Sequence, residues 1–79
     1  MYINRRAVEN HMKDWKNKSG LGHLRKVMYK IHGNTVNVYC SRPGPMIGKG
    51  GELIREYQSK MKEIGVQHIE LIEVEDTLI

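Results

Sequence analysis

Residues 46–54 read Met46-Ile47-Gly48-Lys49-Gly50-Gly51-Glu52-Leu53-Ile54, and they carry the plainest chemistry in the chain. Gly48 and Gly51 bracket a lysine and a third glycine, and an amphipathic helical pattern begins at once. Glycine lets a backbone turn tightly and lets another molecule come close. A helix starting there aims unpaired N–H groups and the positive end of its dipole outward. Lys49 adds a full positive charge at the tip. The chemistry this predicts is recognition of a phosphate backbone by N–H groups and charge. Gly-x-x-Gly by itself is a weak motif, but here Ile47 precedes the first glycine and Ile54 follows the last by three positions. The Gly-x-x-x-x-Gly-Lys-Ser/Thr spacing of a nucleotide-hydrolysing loop is missing.

No other constellation competes. The histidines are His11, His23, His32 and His68, and no two stand three or four apart in a zinc-binding pattern. No Ser-His-Asp set or carboxylate pair stands out. Glu73, Glu75 and Asp76 form an acidic end that reads as solvated surface. The expectation is a protein that is not an enzyme, with no cofactor and no metal. Cys40 is the only cysteine, so no internal disulfide can form, and its place in an alternating run with Val36 and Val38 predicts a small buried core residue.

Charge divides the chain. Residues 1–49 carry ten Lys/Arg and two Asp/Glu, and residues 50–79 carry three Lys/Arg and seven Asp/Glu. One reading is an ordinary solvated surface. The other is a basic face for a polyanion with an acidic edge turned away, and the glycine loop on the basic side favours it. Seventy-nine residues predict one domain with a small core, about residues 4–76, and little stability to spare. With no membrane-spanning run, no secretory signal pattern and a single thiol, a cytoplasmic protein with no membrane partner is expected.

These residues need elements to hold them. Val8, Met12 and Trp15 recur at helical spacing within residues 4–18, with Asn4 placed to cap the start and Ser19-Gly20 to end the helix. Its basic surface could touch a polyanion or a membrane, but its apolar stripe is more simply the part that packs on a sheet. Val27, Tyr29 and Ile31 predict one face of a strand. His32-Gly33-Asn34 predicts a turn with Gly33-Asn34 available for positive φ, and Val36, Val38 and Cys40 predict the core row of a second strand. Arg42-Pro43-Gly44-Pro45 ends that strand, and a short helical turn over Pro45-Met46-Ile47 follows. A longer helix is expected from about Gly51 to Ile64, with Leu53, Ile54, Tyr57, Met61 and Ile64 on one stripe and Gly65 as its C-terminal cap. In the last run, Val66 to Val74, Ile69 and Leu71 point to the core and Ile72 to the other face, and Glu75 to Ile79 frays. The order is helix, strand, strand, short helix, glycine loop, helix, strand. It predicts an α+β fold with a mixed three-stranded sheet and helices on one face.

Nearly the whole chain, about residues 4–76, resembles the K-homology (KH) domain, a family whose signature is a Gly-x-x-Gly loop clamping four nucleotides. The α-β-β-α-α-β order is that of its type II, or prokaryotic-type, form. Ser41-Arg42-Pro43-Gly44, Ile47-Gly48-Lys49-Gly50-Gly51 and Ile72-Glu73-Val74 look most like the KH domain of the bacterial small-subunit ribosomal protein that lines the channel where messenger RNA enters. The resemblance implies that Gly48, Lys49, Gly50 and Gly51 hold a sugar-phosphate backbone. It further implies that Ile47 and Ile54 floor an apolar groove for unpaired bases, with Val38 or Leu71 as sheet-side neighbours, and that Arg42 reaches a phosphate. Ordinary core is the competing reading for these apolar residues, strongest for Val38 and Leu71. The implied partner is single-stranded RNA, within a ribosomal or other ribonucleoprotein setting. The alternative is a protein-interaction module on the same fold, docking through its acidic third strand.

Overall fold

A computed structural model describes residues 3–20 and 27–75. Helix α1, Arg5–Lys18, starts at Asn4, whose side-chain oxygen accepts the Ala7 N–H at 3.1 Å. It ends at Ser19, whose N–H donates to the Trp15 carbonyl at 2.9 Å. Strands β1, Val27–His32, and β2, Thr35–Cys40, form the hairpin. Two details differ from expectation. His32 closes β1 as the partner of Thr35 instead of belonging to the turn. Only Gly33 takes positive φ, and the carbonyl of Asn34 accepts the Gln67 N–H at 2.8 Å.

Helix α2 spans Pro43–Ile47, so it begins two residues earlier than the sequence suggests. Both prolines fit because the first helical turn needs no N–H donor from them. A 3-10 turn over Lys49–Gly51 leads into α3, Glu52–Lys62. Gly65, at φ +102, completes a helix stop in which its N–H donates to the Lys62 carbonyl and the Val66 N–H to the Met61 carbonyl, at 3.3 and 3.0 Å. Strand β3, His68–Glu73, then lies parallel to β2, giving the mixed sheet β1-β2-β3.

Register decides what is inside. Ile31, Val36 and Ile69 stand side by side, as do Tyr29, Val38 and Leu71. These rows face the helices and pack with Val8, Met12, Trp15, Met46, Tyr57 and Met61. Cys40 is wholly buried in the same row, and burial pushes its thiol up, as suits a core residue. Residues one position along each strand, Met28, Tyr39 and Ile72, share the opposite face. Asp76 to Ile79, expected to fray with Glu75, and His23 are among the residues outside those described.

Candidate nucleic-acid interface

Three helices meet behind the glycine loop. The Trp15 indole N–H donates to the buried Met46 carbonyl at 2.8 Å, which fixes the last turn of α2 two residues before Gly48. Trp15 also stacks on Tyr57 of α3, with centroids 5.3 Å apart and planes 9° from parallel. The Tyr57 hydroxyl donates to the Asp14 carboxylate. Lys18 bridges α1 to Glu56 at 2.7 Å, and Lys60 meets the same carboxylate at 3.0 Å. Burial, and then the bond to Asp14, pushes the Tyr57 hydroxyl up to about 12. The bond from Tyr57 holds Asp14 below the usual carboxylate range, and the bonds from Lys18 and Lys60 do the same for Glu56. With α2 held to α1 by Trp15 and α3 held to α1 by this tether, the segment between α2 and α3 is anchored at both ends.

That segment needs glycine. Gly48 sits at φ 79, ψ 173, a region open almost only to glycine, and its N–H closes α2 on the Gly44 carbonyl at 3.0 Å. A Cβ on Gly48 would lie 2.7 Å from the Leu53 Cβ. Gly50 and Gly51 are left-handed, at φ 62 and φ 79. The Gly51 N–H donates to the Gly48 carbonyl at 3.1 Å and the Glu52 N–H to that of Lys49. The N–H groups of Lys49 and Gly50 donate to no described backbone carbonyl, and both residues are exposed. Two free donors and an ammonium group therefore share the loop tip.

Other expected residues are placed unevenly. Ile47 is 37% exposed beside Gly48, and Ile54 is half-buried on the first turn of α3. Arg42 is exposed at the far end of α2, so the length of that helix separates it from Gly48. Val38 is wholly buried and Leu71 is half-buried against the core. Val38 cannot meet a base, because the helices cover its row of the sheet.

One group of residues escaped the sequence reading. Arg55, Gln58, Ser59 and Lys62 line a cleft between α3 and the start of β3, closed on the other side by Gln67 and His68. The Arg55 guanidinium reaches back to the loop, with its Nη1 3.4 Å from where a Gly51 Cβ would stand. The spacing i, i+3, i+4, i+7 was present as a polar stripe beside the apolar one. It passes for a solvated face until Gly65 turns the chain back and β3 becomes its opposite wall. On the other flank of the loop, Glu52 and Glu56 lie with Lys49. The loop therefore has a basic and polar flank and an acidic one.

No curated protein and no solved structure matches the chain. The family model for the KH domain matches residues 17–77, a stretch that includes the loop, the sheet and both later helices. KH domains are non-catalytic RNA-binding modules, and this chain belongs to the KH domain family.

Proposed function

We propose that this chain is a type II KH module that binds single-stranded RNA at the loop Gly48, Lys49, Gly50 and Gly51, without catalysis. The carrying observation is the pair of unengaged N–H groups at Lys49 and Gly50 beside the Lys49 ammonium. A phosphodiester satisfies all three at once, and phosphate contacts fix register without reading sequence. Ile47 and Ile54 then meet the bases, and the cleft from Arg55 to Lys62 continues the path along α3. A groove with one backbone-donor wall and an aliphatic floor admits unpaired bases and excludes a duplex. Arg42, at the far end of α2, is a secondary phosphate contact in this reading. The likeness of the Arg42-Pro43-Gly44 turn and the Ile47–Gly51 run to a ribosomal KH domain supports a ribonucleoprotein setting.

The double change Lys49→Asp with Gly50→Asp tests the loop. Lys49 is exposed and a Gly50 Cβ would meet open space, so neither side chain disturbs packing. The left-handed Gly50 adds a cost of about 1 kcal/mol, since aspartate is among the residues that tolerate this region. Circular dichroism should show the fold retained with a modestly lower Tm. Titration with a labelled unpaired tetranucleotide should show binding lost. With two or three phosphates engaged, the parent's log–log salt slope on that short strand should be roughly −1.4 to −2.1. Undiminished affinity in the folded double variant would remove the loop as the site and favour the protein-docking alternative.

A further inference from the structure

A second groove lies away from the loop, between α1 and the edge strand β1. Its two adjoining parts share Glu9 and Tyr29. Arg5, Arg6 and Lys30 line one part, and Lys13 and Lys16 the other. From Arg5 to Lys16 the helix rises roughly 16 Å. Among the described residues, Glu9 is the lone carboxylate of this lining, and it is already engaged by Lys13 at 3.5 Å. No carboxylate among the described residues lies within 4 Å of Arg5, Arg6, Lys16 or Lys30. Arg5 and Arg6 also occupy the first turn of α1, which holds no acidic residue. Positive charge there opposes the helix dipole, so folding by itself disfavours the arrangement.

We propose that the α1–β1 groove is a second nucleic-acid site, taking the phosphodiester backbone of RNA that flanks the segment held at the glycine loop. It rests on the reading of that loop as an RNA site. The Asn4 N–H donates to the Ile64 carbonyl at 3.1 Å, so the start of α1 lies beside the chain just past the end of α3. The loop is at the other end of α3, and an RNA must extend beyond four nucleotides to reach both. The groove is open and carries cations on its α1 wall and at Lys30 of β1, which suits sequence-independent backbone contact. An anionic membrane fits less well. A helix lying on a bilayer turns apolar residues outward, whereas Val8, Met12 and Trp15 of α1 are buried. Among the described residues, the exposed large hydrophobics, Met28 and Ile47, lie on β1's opposite face and on α2.

The test is the double change Arg5→Glu with Arg6→Glu. Acidic residues suit a first helical turn, so the variant should melt at or above the parent. Two labelled RNAs are titrated across salt: an unpaired tetranucleotide, and an unstructured strand of about twenty nucleotides, long enough to cover both sites. Tetranucleotide affinity should be unchanged. Affinity for the long strand should fall about tenfold, and its salt slope should lessen by roughly 1.4, for two phosphates released. An unchanged long-strand affinity and slope would overturn the groove, whatever the loop does. Equal losses for both RNAs would also overturn it, because a diffuse field and not a site would be acting. So would unchanged RNA binding with lost binding to phosphatidylserine vesicles. A tetranucleotide bound equally by the parent and by Lys49→Asp would sink the loop reading alone, and a long strand still sensitive to Arg5→Glu with Arg6→Glu would then support the groove.

Discussion

The glycine loop and the α1–β1 groove present positive potential by opposite means. The loop does it with conformation: three glycines at positive φ free the N–H groups of Lys49 and Gly50, and one side chain carries charge. The groove does it with side chains on regular structure, from Arg5 and Arg6 to Lys13, Lys16 and Lys30. Conformation is a property of the fold, whereas exposed charge is nearly independent of it. The loop should therefore fail together with stability when its backbone is disturbed. The groove should lose function one charge at a time with the fold untouched.

Gly48→Ala gives the largest expected contrast. The substituted Cβ would meet the Leu53 Cβ at 2.7 Å in a backbone region that L residues avoid. We expect a loss of about 2–4 kcal/mol from strain and displacement of Leu53, with RNA binding lost even below the new Tm. Arg6→Ala, on an exposed face, should change stability by less than about 0.5 kcal/mol. Denaturant unfolding of both variants checks this. Similar stability losses would erase the distinction between the two surfaces.

Trp15→Phe comes next and asks how far the loop depends on its support. The change keeps an aromatic ring against Tyr57 but removes the donor to the Met46 carbonyl. A buried carbonyl left without its partner costs about 1–3 kcal/mol. Because Met46 leads into Gly48, tetranucleotide affinity should fall as well, while the groove's contribution to long-strand salt dependence stays. Hydrogen exchange of Gly48 and Gly51, both of whose N–H groups are bonded within the loop region, should speed up. Unchanged exchange there would show that α2 holds the loop without the indole.

The sequence was a good guide where local pattern decides structure. Asn4, Gly65 and the Val36-Val38-Cys40 row do what their types and spacing predict. So does the fold class, since a hairpin followed by a helical crossover leaves few sheet arrangements. It was a poor guide where two distant segments must meet. Trp15 reads as one more member of an apolar stripe, and nothing local says that its N–H finds a carbonyl thirty-one residues away. The polar stripe from Arg55 to Lys62 reads as solvated until β3 stands opposite. The basic first helix shows its charge but not its partner, because only the fold sets β1 and Lys30 beside it. Pro43 ends the strand as expected, but the helix opens at it and not at Pro45. A proline that ends a strand can also open a helix, and Cys40 and Pro43 are close enough for both.

The smallest effect concerns the tether between the helices that carry the two surfaces. Asp14 and Glu56 have folded pKa values below their ordinary 3.8 and 4.5, chiefly through hydrogen bonds from Tyr57 and from Lys18 with Lys60. A carboxylate depressed in the folded state contributes stability above its unfolded value and loses it as pH falls through the folded one. The Tm should thus be flat at neutral pH and decline as pH falls through 4.5 and then below 3.8. The decline should be shallow, because these pairs are largely open to solvent and exposed pairs contribute little. At the other extreme, the Tyr57 hydroxyl is raised from 10.0 to about 12, so its contribution is complete below pH 10 and fades from there to about 12. Tyr57→Phe should remove the alkaline loss from this group and part of the acid one, since Asp14 then loses the hydrogen bond that depresses it. If the variant instead kept the parent's profile at both ends, the tether would not be what joins α1 to α3. The loop and the groove would then be coupled only through the shared core around Trp15.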